Sequence, residues 1–118
     1  MPKFIPVPWI RWQRYRITGV VRELDSERPL PNLRIAAFDK DLVKDDFLGE
    51  ATTDADGAFE IRFTDADFKD LVEAQPDIYL CVFCGDRFEP IHDTRCEIRE
   101  NASHEEHFEL WVPAGSVD

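Results

Sequence analysis

Alternation of apolar and polar side chains predicts that most of this chain forms short β-strands. In residues 58–63 the side chains of Phe59, Ile61 and Phe63 alternate with charged ones, the period of two expected of a strand with one buried face. Residues 106–112 repeat the pattern. Apolar and β-branched runs predict further strands at 15–24, 33–38, 47–53 and 78–83, and a weaker pair of short strands within 88–97.

Turn and capping residues separate these predicted strands. The segment from Asp54 to Gly57 has the composition of a tight hairpin turn, because aspartate tolerates turn geometry and glycine supplies a positive φ. Residues 64–74 have helix chemistry, with acids in the first turn, and Pro76 ends that segment. Seven or eight short strands with regularly spaced turns and one short helix predict an all-β, antiparallel sandwich.

The ends of the chain differ in character from its middle. Residues 1–13 combine three prolines with aromatic and basic side chains, which excludes a regular helix and predicts an extended arm. We expect this arm to cover an edge of its own sandwich, although its chemistry also suits a partner protein or an anionic lipid. The predicted organisation is therefore an arm at 1–13, a sandwich at 14–113 and a tail at 114–118.

Composition and charge narrow the class of protein. A chain of 118 residues with 43% hydrophobic content predicts one globular domain with a real core. The net charge of −11 disfavours nucleic acid and favours cations or basic partners, and it is uneven because residues 1–16 contain four bases and no acid. The chain has no apolar run long enough for a membrane span and no secretory pattern, and its odd count of three cysteines argues against a secreted disulfide framework. The expected location is therefore cytoplasmic.

Two acidic segments interrupt the strand pattern and suggest a cation site. They contribute six candidate ligands: Asp39, Asp41, Asp45, Asp46, Asp54 and Asp56. Crowded carboxylates repel one another unless they share an ion, and an all-oxygen ligand set favours calcium first and magnesium second, with a lanthanide able to compete. The alternative is that both segments are solvated turns. An EF-hand is excluded because Lys44 stands where that loop requires glycine.

The order of four short motifs resembles the transthyretin-like, or carboxypeptidase regulatory-like, family. These motifs are GVV at 19–21, PLPNL at 29–33, TDADGAF at 53–59 and PDIYL at 76–80. The resemblance implies a prealbumin-like sandwich that serves as a binding, adhesion or accessory domain. The run DKDLVKDDFLGE at 39–50 also resembles a calcium loop of C2 domains, which implies calcium ligation by Asp39, Asp41 and Asp46 and, as a secondary idea, calcium-dependent lipid binding.

Catalytic alternatives find little support among the residues. Hydroxyisourate hydrolases end in Tyr-Arg-Gly-Ser, whereas this chain ends in PAGSVD. Zinc ligation by the CxxC and HxxH pairs is an open alternative, disfavoured because their spacing matches no compact site. The candidates for the two tyrosines and two histidines that intradiol dioxygenases place on iron are Tyr15, Tyr79, His92, His104 and His107. The candidate zinc ligands are Cys81, Cys84, Cys96, His104 and His107.

The leading hypothesis from the sequence is a non-enzymatic, calcium-binding sandwich that acts as a binding or assembly module. The second hypothesis is a structural or oligomerising domain without metal, whose N-terminal arm docks on a partner or on a second copy of itself.

Overall fold

The computed structural model describes residues 13–67 and 75–117, which form a two-sheet β-sandwich. The strands are β1 (Arg14–Glu23), β2 (Arg34–Asp39), β3 (Asp46–Thr52), β4 (Ala58–Thr64), β5 (Ile78–Phe83), β6 (His92–Asp93) and β7 (Glu105–Val112). Two 3-10 turns cover Asp65–Asp67 and Arg95–Glu97. Within these described ranges no helix is both long enough and apolar enough to cross a membrane.

The strands divide between a three-stranded sheet in the order β4-β1-β7 and a four-stranded sheet in the order β3-β2-β5-β6. This arrangement confirms the predicted all-β sandwich. In the segment 64–74 that was predicted to be helical, Asp65–Asp67 form a 3-10 turn, and residues 68–74 lie outside the described residues. The predicted pair of strands within 88–97 is β6 followed by the second 3-10 turn.

One pairing departs from the expected antiparallel pattern, because β1 and β7 are parallel, with Gly19 opposite Phe108. After β5 the chain returns along the four-stranded sheet through β6 and the turn at Arg95–Glu97. It therefore starts β7 at the end where β1 also starts, and the two strands run in the same direction. Alternation of side chains specifies a strand but not the direction of its neighbour.

The core lies between the two sheets and is built from the alternating positions. Phe59, Ile61 and Phe63 are 6%, 2% and 4% exposed, as the pattern predicted. From the facing sheet Ile35 and Leu80 are fully buried. Transfer of such side chains from water, at about 1.5–3 kcal/mol each, is the dominant stabilising contribution to the fold.

Strand β5 is an interior strand covered on both faces, which is consistent with its nearly continuous apolar sequence. Ile78, Leu80 and Val82 belong to the core between the sheets. Tyr79 and Cys81, which are 2% exposed, point to the outer face of the four-stranded sheet. A strand with two covered faces does not need the alternation of polar residues seen in β4.

Candidate functional site

The two acidic segments lie at opposite ends of the sandwich. In the antiparallel pair of β2 and β3, Asp39 is opposite Asp46 at one end and Arg34 is opposite Thr52 at the other. The loop 40–45 therefore lies at what we call the β2–β3 end, and the turn 53–57 lies at the β3–β4 end. Five residue steps separate the ends, or roughly 17 Å along the strands.

Asp54 and Asp56 therefore do not join the other four predicted ligands. A site shared by all six aspartates would require the segments after β2 and after β3 to meet at one end of the sandwich. Successive strands of a hairpin run in opposite directions, so the loops at their two carboxyl ends are held apart.

The turn 53–57 uses its polar groups to fold. Asp54 Oδ1 accepts hydrogen bonds from the backbone N–H groups of Asp56 (2.9 Å) and Ala58 (3.0 Å). Gly57 has a φ of 74°, and a Cβ atom there would lie 2.5 Å from the carbonyl oxygen of Val21. The turn is thus explained by local geometry, as the hairpin prediction proposed.

The loop 40–45 is held by Asp45. Its carboxylate accepts hydrogen bonds from the backbone N–H of Asp41 (3.0 Å) and from the hydroxyl of Tyr79, and it lies 3.5 Å from the Lys40 ammonium. These interactions, led by the Asp41 N–H, lower the pKa of Asp45. Burial and the bond to Asp45 raise the pKa of Tyr79 to about 12, so this hydroxyl is a donor at neutral pH.

Asp39 is the least favourably placed carboxylate of the loop. It accepts a hydrogen bond from the backbone N–H of Asp77 at 2.8 Å. Burial, followed by the neighbouring charges of Asp77, Asp46 and Asp41, raises its pKa to about 6. Asp77 was not among the predicted ligands, and its position directly before the apolar run of β5 was the signal that could have suggested it.

No cluster of three or more His, Cys, Asp or Glu side chains suited to a metal ion occurs within residues 13–67 and 75–117. Asp39, Asp41, Asp45 and Asp46 do lie at one end, but Asp45 and Asp39 are engaged by the hydrogen bonds above. Four of the six predicted ligands therefore share one end of the described structure, but they form no metal-binding cluster there.

The tip of the loop carries the most exposed apolar side chains of this end. Leu42 and Val43 are 100% and 96% exposed. Neither residue was among the predicted site residues. The available signal was two adjacent aliphatic residues set among charged ones outside any strand pattern. Side chains of this kind that contact nothing in their own fold are candidates for contact with a partner.

Aromatic side chains extend from the loop across the outer face of the four-stranded sheet. Phe38 packs edge-on against Phe47 at 5.8 Å between ring centroids and stacks on Tyr79 at 5.4 Å, while the Arg95 guanidinium lies 5.0 Å from the centre of the Tyr79 ring. Phe47 is 52% exposed. We call the surface formed by Phe38, Leu42, Val43 and Phe47 the apical patch.

The outer face of the other sheet carries a network of charged and polar side chains. Thr18 Oγ1 is 2.9 Å from His107 Nδ1, and His107 Nε2 is 2.5 Å from a carboxylate oxygen of Glu109. Arg22 pairs with the same glutamate at 2.5 Å. His107 and Glu109 are exposed and Thr18 and Arg22 are half-buried. The cross-strand pairs that they form contribute to sheet stability.

The residues considered for iron are divided between the sheets. Tyr15 stacks on His104 at 4.5 Å at the β2–β3 end of the three-stranded sheet, whereas Tyr79 and His92 belong to the four-stranded sheet. The described residues therefore do not bring two tyrosines and two histidines together.

The three cysteines differ in exposure. Cys81 is buried, Cys84 is half-buried and Cys96 is exposed, and all three are free thiols. Burial raises the pKa of Cys81, which opposes formation of the reactive thiolate.

Comparison with known proteins identifies the class of the chain. The sequence profile of the transthyretin-like family (TTR-52) matches residues 26–102, which is more than half of the chain. The chain therefore belongs to the transthyretin-like family, as its motifs predicted. A sequence comparison with curated proteins gives no match.

Similar solved structures share the sandwich fold. One is a 9R-lipoxygenase from Cyanothece PCC8801, with a TM-score of 0.56 and 25% identity, where the match covers 86% of this chain and 16% of that one. Another is an (S)-allantoin synthase, with a TM-score of 0.56 and 15% identity, where the match covers 85% of this chain and 40% of that one. The dioxygenase domain of a dioxygenase and carbohydrate-binding fusion from Streptomyces sp. SirexAA-E has a TM-score of 0.52 and 15% identity, with 95% of this chain and 93% of that one covered. This chain spans less than two thirds of the lipoxygenase and of the allantoin synthase. Shared fold at this identity does not assign an activity.

Proposed function

We propose that this protein is a non-enzymatic binding and assembly module and that the apical patch is its contact surface. The observation that carries the proposal is the complete exposure of Leu42 and the 96% exposure of Val43 at the tip of a fixed loop. Apolar side chains at the centre of a polar rim are the anatomy of a protein interface. Membership of the transthyretin-like family agrees with a binding or structural role.

Preorganisation of the loop supports the same function. The hydrogen bonds to Asp45 from the Asp41 backbone and the Tyr79 hydroxyl hold the loop on the sheet. A contact surface that is already ordered loses less conformational entropy when it binds, so more of its contact energy contributes to affinity.

The proposal of a non-enzymatic role is supported by the distribution of reactive groups. The tyrosines and histidines that an iron site would need are divided between two sheets, and the Cys81 thiol has a raised pKa. The Thr18, His107 and Glu109 network lies on an exposed strand face. Acyl transfer would require donors placed for a developing oxyanion as well as a nucleophile and a base.

Site-specific photo-crosslinking in the native cell tests the contact surface. A photoreactive residue at position 42 is compared with one at position 88, because Phe88 is 98% exposed but lies in the loop after β5, at the β3–β4 end. We expect one discrete adduct from position 42 and none from position 88. Equal adducts from both positions, or none from position 42, would contradict the proposal.

We further propose that a hard cation, calcium first, regulates this loop. The supporting observation is that the pKa of Asp39 is raised by burial and by the charges of Asp77, Asp46 and Asp41. A bound cation would relieve that repulsion. Since the described carboxylates do not already form a cage, binding requires the loop to close around the ion.

Calorimetric titration with calcium tests the cation proposal on the intact chain. We expect heat and a higher melting temperature at millimolar calcium, and loss of both in Asp39→Asn and Asp46→Asn. The matched control is Asp56→Asn, an exposed aspartate at the opposite end, which should bind as the parent does. Absence of heat, or equal loss in the control, would exclude a calcium site in this loop.

A further inference from the structure

We propose that the apical patch receives residues 1–12 of a second copy of this chain, so that two copies exchange their N-terminal segments. This inference rests on the proposed function, since it names the partner of the same surface. It identifies one occupant by chemistry: a short segment rich in aromatic and aliphatic side chains, basic, and free of acids.

The apical patch has the form of a docking surface, because its apolar side chains are held in place without being covered by the rest of the fold. Phe38 and Phe47 are opposite each other in the β2 and β3 register, and their rings are in edge-to-face contact. The loop tip with Leu42 and Val43 continues directly from the ends of these two strands. Aromatic rings fixed by strand packing, next to fully exposed aliphatic side chains, supply area that a partner can cover without ordering the surface first.

The rim of the patch is acidic. Asp39, Asp41, Asp45 and Asp46 lie in or beside the loop, against two lysines of which Lys40 is paired with Asp45. The raised pKa of Asp39 reflects burial and this accumulation of negative charge. A basic segment therefore gains attraction at this rim, and an acidic one is repelled.

The chain itself contains a segment with the complementary properties. Besides Met1, residues 1–12 include six large apolar side chains and two cations, and they have no acid, in a chain whose net charge is −11. Aromatic residues and arginine are the types most enriched where binding energy concentrates. The six apolar residues are Phe4, Ile5, Val7, Trp9, Ile10 and Trp12, and the cations are Lys3 and Arg11.

The residue that follows the segment, Gln13, lies at the end of the sandwich that this exchange requires. The backbone of Gln13 exchanges hydrogen bonds with Asp65 just after β4, at the same β2–β3 end of the sandwich as the loop. Gln13 adjoins the three-stranded sheet, whereas the patch lies on the outer face of the opposite sheet. A second copy presented end to end allows each segment to reach the other copy's patch, and this reciprocal exchange closes the assembly at two copies.

Analytical ultracentrifugation of the full chain and of full-length variants tests the exchange. We expect a reversible dimer that weakens with added salt. Two double variants should each weaken dimerisation by about tenfold or more. The patch variant combines Leu42→Ser with Phe47→Ser, and the segment variant combines Trp9→Ser with Trp12→Ser. Phe88→Ser is the control, because it removes a ring that is 98% exposed at the other end and should leave dimerisation unchanged.

Mixing variants identifies the second copy as the occupant. The patch variant retains a working segment, and the segment variant retains a working patch. An equimolar mixture should therefore associate more tightly than either variant alone, through one exchanged contact. Charge reversal offers an independent check, since Arg11→Glu should weaken the dimer and Asp41→Lys should restore it in combination.

Three results would overturn the inference. The first is a chain that stays monomeric at every concentration up to about 1 mM. The second is a dimer that the patch and segment variants leave intact. The third is a change of Trp fluorescence in the variants without any change of mass, which would mean that the segment contacts the patch of its own chain. Crosslinking from position 42 to a different protein would leave the proposed function standing while this inference failed. Thermal denaturation of each variant tests whether it is folded. Because the substituted patch residues are exposed, we expect the patch variant to remain folded.

Discussion

The two ends of the sandwich carry similar aspartate-rich sequences but use them differently. At the β3–β4 end the carboxylate of Asp54 closes a hairpin by binding two backbone N–H groups, and Gly57 occupies a conformation that its neighbours require. At the β2–β3 end the loop is longer, its tip carries Leu42 and Val43 in full exposure, and Asp39 is in a repulsive environment. The first end is explained by folding, whereas the second contains features that folding does not require.

This difference has an energetic meaning. Residues that a fold requires contribute to its stability, and residues selected for contact often reduce it or leave it unchanged. Substitutions should therefore lower stability most at the β3–β4 end. At the β2–β3 end they should leave stability nearly constant, or increase it.

The largest effect is expected at Gly57. In Gly57→Ala the new Cβ atom would be 2.5 Å from the Val21 carbonyl oxygen and 3.1 Å from the Leu30 nitrogen, at a φ of 74°. We expect a loss of about 3 kcal/mol in the free energy of unfolding, measured by urea denaturation.

Gly85 is the control for this substitution. It has a φ of 63° but nothing within 4 Å of an added Cβ. Gly85→Ala should therefore cost only the backbone strain, about 1 kcal/mol. Equal losses at the two glycines would mean that close packing at the turn contributes nothing.

The next effect is expected at Thr53, which is 2% exposed beside the same turn. Its hydroxyl donates to the Leu30 carbonyl at 2.8 Å and accepts from the Leu33 N–H at 2.9 Å. Thr53→Val keeps the shape but leaves both backbone groups buried without a partner, at a cost of about 2 kcal/mol in urea denaturation. Thr52→Val, at the exposed neighbouring position, should change stability by less than about 0.5 kcal/mol, and a larger loss there would remove the distinction.

An effect of opposite sign is expected at Asp39. Its pKa is 3.8 in the unfolded reference and about 6 when folded, so the folded chain holds a proton that the unfolded chain has released. The associated stability is complete below pH 3.8 and is lost as the pH rises through about 6.

Asp39→Asn removes this loss. At pH 7 we expect the free energy of unfolding of the variant to exceed that of the parent by about 1 kcal/mol, a value reduced because Asp39 is partly exposed to solvent. The difference should vanish near pH 4. Urea denaturation of both proteins at the two pH values measures it, and a variant that is less stable at pH 7 would show that the carboxylate stabilises the loop.

The smallest effect is expected at Leu42. Its side chain is 100% exposed, so Leu42→Ser removes no buried area and should change the free energy of unfolding by less than about 0.5 kcal/mol. The same substitution should weaken any contact made by the apical patch. A large loss of stability in the monomer would mean that the loop tip packs on its own fold.

The strand pattern of this protein was readable from sequence because burial imposes a period on the side chains. Strands predicted at 33–38 and 78–83 are observed at Arg34–Asp39 and Ile78–Phe83. Composition also identified the hairpin turn at Asp54 and Gly57, whose geometry depends on the properties of those residues themselves.

Tertiary structure determined the placement of the two acidic segments and the exposure of the loop tip. Whether Asp54 approaches Asp39 depends on the directions of β2 and β3, and whether Leu42 is covered depends on what packs beside it. The parallel pairing of β1 with β7 likewise follows from the path of the chain between sheets. Local periodicity records which residues are buried, whereas the relation between distant segments arises from strand order and direction, which no local pattern contains.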